Sequence, residues 1–110
     1  TLHNEADNDT HLGYTTSRDL AQSTSFLAST DGYGNDSDQC GAGELFLFDP
    51  SSTTFVKHWL WDDQTYNNGN FSARSFNAGY FNTTSAIDAI QFKFSGGNID
   101  SGTIEMYGIN

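Results

Sequence analysis

The stretch GELFLFDPSSTTFVKHWLW, residues 43–61, holds two apolar runs separated by a Pro-Ser-Ser break. Residues 44–49 form the first run and residues 53–61 the second. Two short runs on either side of turn-forming residues are typical of paired antiparallel strands. Both parities of the second run mix apolar with polar side chains, so we expect that strand to lie between a core and a partner.

Further strand candidates follow toward the C-terminus, at residues 71–81, 86–94 and 103–109. Alternation supports the last two, at Ile90, Phe92 and Phe94 and at Ile104 and Met106, since side chains two apart share one face of a strand. Between them, SGGNIDSG (residues 95–102) has glycines but no following lysine and no helix, which excludes a phosphate-binding loop and predicts a β-hairpin. The residues expected to shape the turns and fill the core are Pro50, Gly97, Asn98, Gly102, Ile90, Phe92, Ile104 and Met106.

The first 42 residues are polar and rich in loop formers, with weak strand candidates only at 13–16 and 23–28. Residues 43–110 carry the convincing strands. Together they predict one all-β domain over residues 1–110, an antiparallel β-sandwich of jelly-roll type. A full jelly roll has about eight strands. Either the N-terminal third supplies weak strands, or upstream sequence or a neighbouring subunit completes a partial domain.

The composition excludes several classes of function. The net charge is −10, and only four basic residues oppose 14 acidic ones. Such a chain is a poor ligand for a phosphate backbone or an anionic membrane, so we expect no nucleic-acid or membrane partner. Cys40 is the only cysteine, which excludes an intrachain disulfide.

Catalysis and metal binding find little support in the residue spacing. The three histidines, at positions 3, 11 and 58, lack a metal-binding pattern, and no nucleophile elbow is present. The loop at 31–38 has the composition of a calcium loop without its ligand spacing. Residues 62–70 (DDQTYNNGN) are predicted as a polar loop after the second run. Adjacent residues of a strand point to opposite faces, so Asp62 and Asp63 would not act as an acid–base pair without a bend. We expect no enzyme activity, no metal and no cofactor.

Trp59, Trp61 and Tyr66 leave two interpretations open. Two tryptophans two residues apart share a strand face. That face is either a core or subunit contact, or an aromatic platform for a sugar ring.

Two stretches resemble a module of predicted structural proteins of tailed bacteriophages, many of them marine. They are residues 43–61, quoted above, and AGYFNTTSAIDAIQFKFSGGNIDSGTIEMYGIN, residues 78–110. The shared pattern is an apolar strand, a turn with Pro50 and Lys57, a Gly79-Tyr80 pair before a T-T-A-I-D-x-I-x-F-like strand, and the closing S-G-N-I-x-S-G-T-I-x-M-Y-G-I-like motif. The resemblance covers residues 43–110.

The resemblance implies a jelly-roll-like protein on the virion exterior, as a capsid decoration protein, a head fibre or a tail-fibre component. It implies other virion proteins as partners, a homo-oligomer (by analogy a trimer), and contact with host-surface glycan. It carries over no catalytic residue. The alternative is a secreted bacterial carbohydrate-binding module that uses the three aromatic residues named above.

Overall fold

The computed structural model describes residues 2–6, 9–30 and 32–109, with side chains from residue 13 onward. It contains one five-stranded antiparallel sheet with the strand order β2-β1-β5-β4-β3. The strands are β1 (Leu2–Ala6), β2 (Asp9–Gly13), β3 (Gly41–Leu47), β4 (Lys57–Tyr66) and β5 (Ser72–Phe81), and Thr16–Arg18 form one 3-10 turn. The prediction of an all-β chain is confirmed.

Strands β3, β4 and β5 form an antiparallel meander, which confirms the strand pair predicted around Pro50. Leu45 lies opposite Trp61, and Asp63 lies opposite Ser75. β4 begins at Lys57 instead of residue 53, because the Ser52 hydroxyl accepts hydrogen bonds from the backbone N–H groups of residues 54 and 55 and holds them in the turn.

β4 also continues through the stretch DDQTY, which we predicted as a loop. This polar stretch is a strand because its backbone pairs with β3 on one side and with β5 on the other. The chain then reverses at residues 67–71, where Asn67 N–H donates to the Phe71 carbonyl at 3.1 Å and Asn70 adopts a positive φ of 59°.

Alternation divides the meander into two faces. The covered face carries the odd-numbered residues of β3, β4 and β5. Residues of the irregular segments contact it, namely Ser29, Thr30, Thr83, Ser85 and Phe92. The open face carries the even-numbered residues 44–48, 58–66 and 72–80, and it contains no buried residue. The most buried residues of the described chain lie on or beside the covered face: Lys57, Asp63, Thr65, Asn67, Ala73 and Ser75.

The C-terminal third differs from the sequence prediction. Segments 86–94 and 103–109 form no strands, and residues 95–102 join no hairpin. A strand needs a backbone partner, and neither segment pairs with any of the five strands of the sheet. Gly97 and Gly102 do have positive φ values of 74° and 149°, as expected for bends that favour glycine.

The predicted C-terminal core residues are also corrected. Ile104 and Met106 are 68% and 84% exposed, and Ile90 is 37% exposed, so none of them fills a core in this chain alone. Phe92 is half-buried, with its ring centroid 5.7 Å from that of Trp61.

The N-terminal third differs as well. Segment 23–28 is irregular, and residues 14–16 continue no strand beyond Gly13. We did not predict β1 and β2, because their sequences, LHNEA and DTHLG, are short and polar. They are strands because β1 pairs with both β2 and β5.

Candidate interaction surface

The open face of the meander presents large apolar side chains to solvent. Phe46, Leu60 and Phe76 are 41%, 47% and 41% exposed, and Tyr80 is 54% exposed. At their centre lies an open depression of about 450 Å³, lined by Phe46, Leu60, Trp61, Asp62, Phe76, Asn77 and Ala78. Contiguous exposed apolar surface of this kind usually marks a place where another molecule binds.

Several polar groups of the open face pair with each other. Arg74 donates to Asp62 through Nη2 at 2.7 Å and through Nε at 3.0 Å, and its guanidinium carbon lies 4.6 Å from the ring centroid of Phe76. The hydrogen bond from Arg74 lowers the pKa of Asp62. The rings of His58 and Tyr80 lie side by side, with centroids 6.1 Å apart. Asp62 and Arg74 therefore neutralise each other beside the apolar centre of this face.

The covered face holds a buried polar layer. Asp63, Thr65 and Ser75 are at most 3% exposed. Asp63 accepts a hydrogen bond of 2.8 Å from Trp61 Nε1 and another from Thr30. Burial nevertheless raises the pKa of Asp63. Within the described structure, Asp63 Oδ2, Thr65 Oγ1 and Ser75 Oγ have no hydrogen-bond partner, so this layer costs folding free energy.

Lys57 attaches the C-terminal segment to the sheet. It is fully buried, and its Nζ donates to the carbonyls of Ser85 at 2.7 Å and Thr83 at 3.3 Å. The neighbouring contact is a backbone hydrogen bond of 2.9 Å from Ile87 N–H to the Pro50 carbonyl. Pro50 thus lies in the predicted turn and also helps to position the segment that follows β5.

The three aromatic residues considered for sugar binding do not form one platform. Trp59 and Trp61 are half-buried on the covered face, where Phe92 packs against Trp61. A Cβ on Gly79 would lie 2.5 Å from Trp59 Cζ2, so the indole fills the space that this glycine leaves. Tyr66 has the opposite parity, on the open face. Their placement matches the core interpretation of the two tryptophans.

Sequence analysis missed the open face as a site. The sequence did contain a signal. Leu60 alternates with Trp59 and Trp61 and so points to the other strand face, and Phe46 and Phe76 are also even-numbered. These positions are separated in sequence, and only the register of β3, β4 and β5 joins them into one patch.

Other candidate groups remain apart from each other. Cys40 is exposed directly before β3, and the Asp36 carboxylate accepts a hydrogen bond from Gln39 Nε2 at 3.1 Å. Across the described residues, three or more His, Cys, Asp or Glu side chains nowhere gather into a metal-binding group. Asp31 and the side chains of His3 and His11 lie outside the described part. No helix in that part is long and apolar enough to span a membrane.

In comparisons with known proteins, no family model, curated protein or solved structure gives a significant match to this chain. The likeness to bacteriophage modules therefore stays a prediction.

Proposed function

We propose that this chain is a non-enzymatic assembly module on the exterior of a bacteriophage virion, as a capsid decoration protein or part of a fibre. The observation that carries the proposal is the excess of exposed surface. The chain exposes 8584 Å² for a mass of 12.1 kDa. A compact monomer of that mass exposes about 6,000 Å². The difference, about 2,500 Å², is the scale of surface that extensive subunit contacts bury.

The shape of the chain agrees with this excess. Its radius of gyration is 15.3 Å, whereas a compact domain of this length has about 13 Å. Much of the additional surface belongs to the C-terminal segment, where apolar side chains are 49–84% exposed. They are Ile99, Ile104, Met106, Tyr107 and Ile109.

We further propose that this segment completes a jelly-roll-like sandwich when it obtains a backbone partner. Its alternating sequence is that of a strand, but it pairs with none of the five strands of the sheet and so has no partner strand in this structure. Upstream sequence or a neighbouring subunit would supply one. The outer edge of β3 is unpaired in the sheet, so this edge is also available to another chain.

The virion location and the partners rest on the resemblance in residues 43–110. Within that proposal, other virion proteins and further copies of the chain are the partners, and host-surface glycan is a possible ligand of the assembled particle. The alternative of a carbohydrate-binding module finds no support in the geometry, because its three aromatic residues lie on two faces of the sheet.

Immunogold electron microscopy tests the proposal. Virus particles are purified from a culture that produces this chain and are labelled with gold-coupled antibodies against it. We expect gold on the particle exterior and the chain among the proteins of purified particles. Gold absent from particles, with the chain recovered instead in the secreted fraction attached to a glycosidase domain, would overturn it.

A further inference from the structure

We infer that the open face is a contact surface between two copies of this chain, packed sheet against sheet. The inference rests on the proposed assembly role and names the surface that serves it. The contact centre is the depression around Ala78, with Phe46, Leu60 and Phe76 at its walls.

Charge favours a second copy as the occupant. The open face carries two acidic residues, Glu44 and Asp62, and one basic residue, Arg74. Its formal charge is thus −1, while the whole chain carries −10. Two such acidic chains repel each other over most of their surfaces. The open face is where they can approach with little repulsion, particularly since Asp62 and Arg74 already form an ion pair.

Shape points the same way. A contact related by a two-fold axis must be self-complementary, because each copy presents the same patch to the other. The small side chain of Ala78 leaves a hollow, and the neighbouring phenylalanine rings stand beside it. A ring of one copy can therefore enter the hollow of the other. Packing two sheets face to face at a spacing of about 10 Å is an ordinary way to build a β-protein core.

The available area sets the strength of the contact. Three strands about 4.8 Å apart, of up to about ten residues at 3.3 Å each, give a flat footprint on the order of 450 Å² per copy. Two copies would bury roughly 900 Å² in total, which is the range of weak, transient interfaces. We therefore expect a reversible dimer whose population depends on concentration.

Sedimentation velocity over a concentration series tests the inference, with the purified chain, Leu60→Glu and a matched control, Phe55→Glu. Phe55 is an equally apolar residue, 69% exposed in the turn before β4. We expect the chain and the control to dimerise alike, and Leu60→Glu to raise the dissociation constant at least about tenfold. Equal dimerisation of all three proteins, or a monomeric parent chain up to about millimolar concentration, would overturn the inference.

A second measurement covers the case in which Leu60→Glu fails to fold. In a Cys40→Ser background, a short bifunctional thiol crosslinker that spans the ~10 Å between packed sheets should join Ala78→Cys into a covalent dimer, and it should join Phe55→Cys far more slowly. Equal rates would contradict the inference. If the parent chain associates through another surface, the open face is excluded while the proposed virion role stands. Absence of the chain from particles would instead exclude that role.

Discussion

Two adjacent carboxylates, Asp62 and Asp63, show how differently the two faces of the meander are used. Asp62 lies on the open face, where Arg74 pairs with it and lowers its pKa. Asp63 lies on the covered face, where burial raises its pKa. These two residues are consecutive in β4, yet one side chain faces solvent and the other faces the protein interior. The comparison teaches that the covered face sets the stability of this chain, while the open face is available for contact.

The largest contrast is expected between neighbours on β4. Trp61→Ala removes a half-buried indole that contacts Phe92 and donates to Asp63, so it should lower the free energy of unfolding by about 2–4 kcal/mol. Leu60→Ala on the open face should cost less than about 1 kcal/mol. Urea unfolding at a dilution where the chain is monomeric measures both. If both variants lost the same free energy of unfolding, the covered face would contribute no more to stability than the open face, which would contradict the account.

The buried lysine gives the next effect. Lys57→Met leaves the carbonyls of Thr83 and Ser85 without their charged donor, which should cost about 2 kcal/mol. The control is Lys93→Met, since Lys93 is exposed and its Nζ lies 3.8 Å from the ring centroid of Phe26. We expect the control to cost less than about 1 kcal/mol in the same unfolding experiment. If Lys57→Met also cost less than about 1 kcal/mol, like the control, Lys57 would not anchor the segment.

Gly79 tests the fit of Trp59 on the covered face. Gly79→Ala places a methyl group where the indole lies, so we expect a loss of about 1–2 kcal/mol in thermal or urea unfolding. Gly108→Ala is the matched control, because no atom lies within 4 Å of the added methyl group. If Gly79→Ala were as harmless as the control, the packing of Trp59 against β5 would be refuted.

The smallest effect, and the one that most sharpens the comparison, is the pH dependence. The folded pKa of Asp63 is above its ordinary value of 3.8, so folding is favoured while Asp63 is protonated and loses that advantage as pH rises through the folded pKa. Relative to the parent, Asp63→Asn should therefore gain stability as pH rises.

Asp62 should behave in the opposite way. Its folded pKa is lowered, so its pairing stabilises the fold above the ordinary value and the stabilisation is lost as pH falls through the folded pKa. Urea midpoints of Asp62→Asn and Asp63→Asn between about pH 3 and pH 8 should differ from the parent with opposite trends. Parallel trends would mean that the two carboxylates share one environment.

The local sequence pattern predicted the strands of residues 43–61 correctly. It failed in segments where strand formation depends on a backbone partner elsewhere in the fold. Residues 43–61 predicted two paired strands around Pro50 because apolar runs and turn formers are local signals. Ile104 and Met106 alternate like a strand, yet they lie exposed, because alternation cannot tell whether a neighbouring strand exists. The open face was missed for a related reason: Phe46, Leu60 and Phe76 become one patch only through the register of three strands.

Residue-resolved hydroxyl-radical footprinting of dilute and concentrated solutions tests the central claim most directly, with the unfolded chain as the reference for intrinsic reactivity. The account predicts that Leu60 and Phe76 react freely in the dilute monomer and become protected on concentration, whereas Trp59 and Trp61 are partly protected in both. Protection of Leu60 and Phe76 already in the dilute monomer, or no change on concentration, would contradict it.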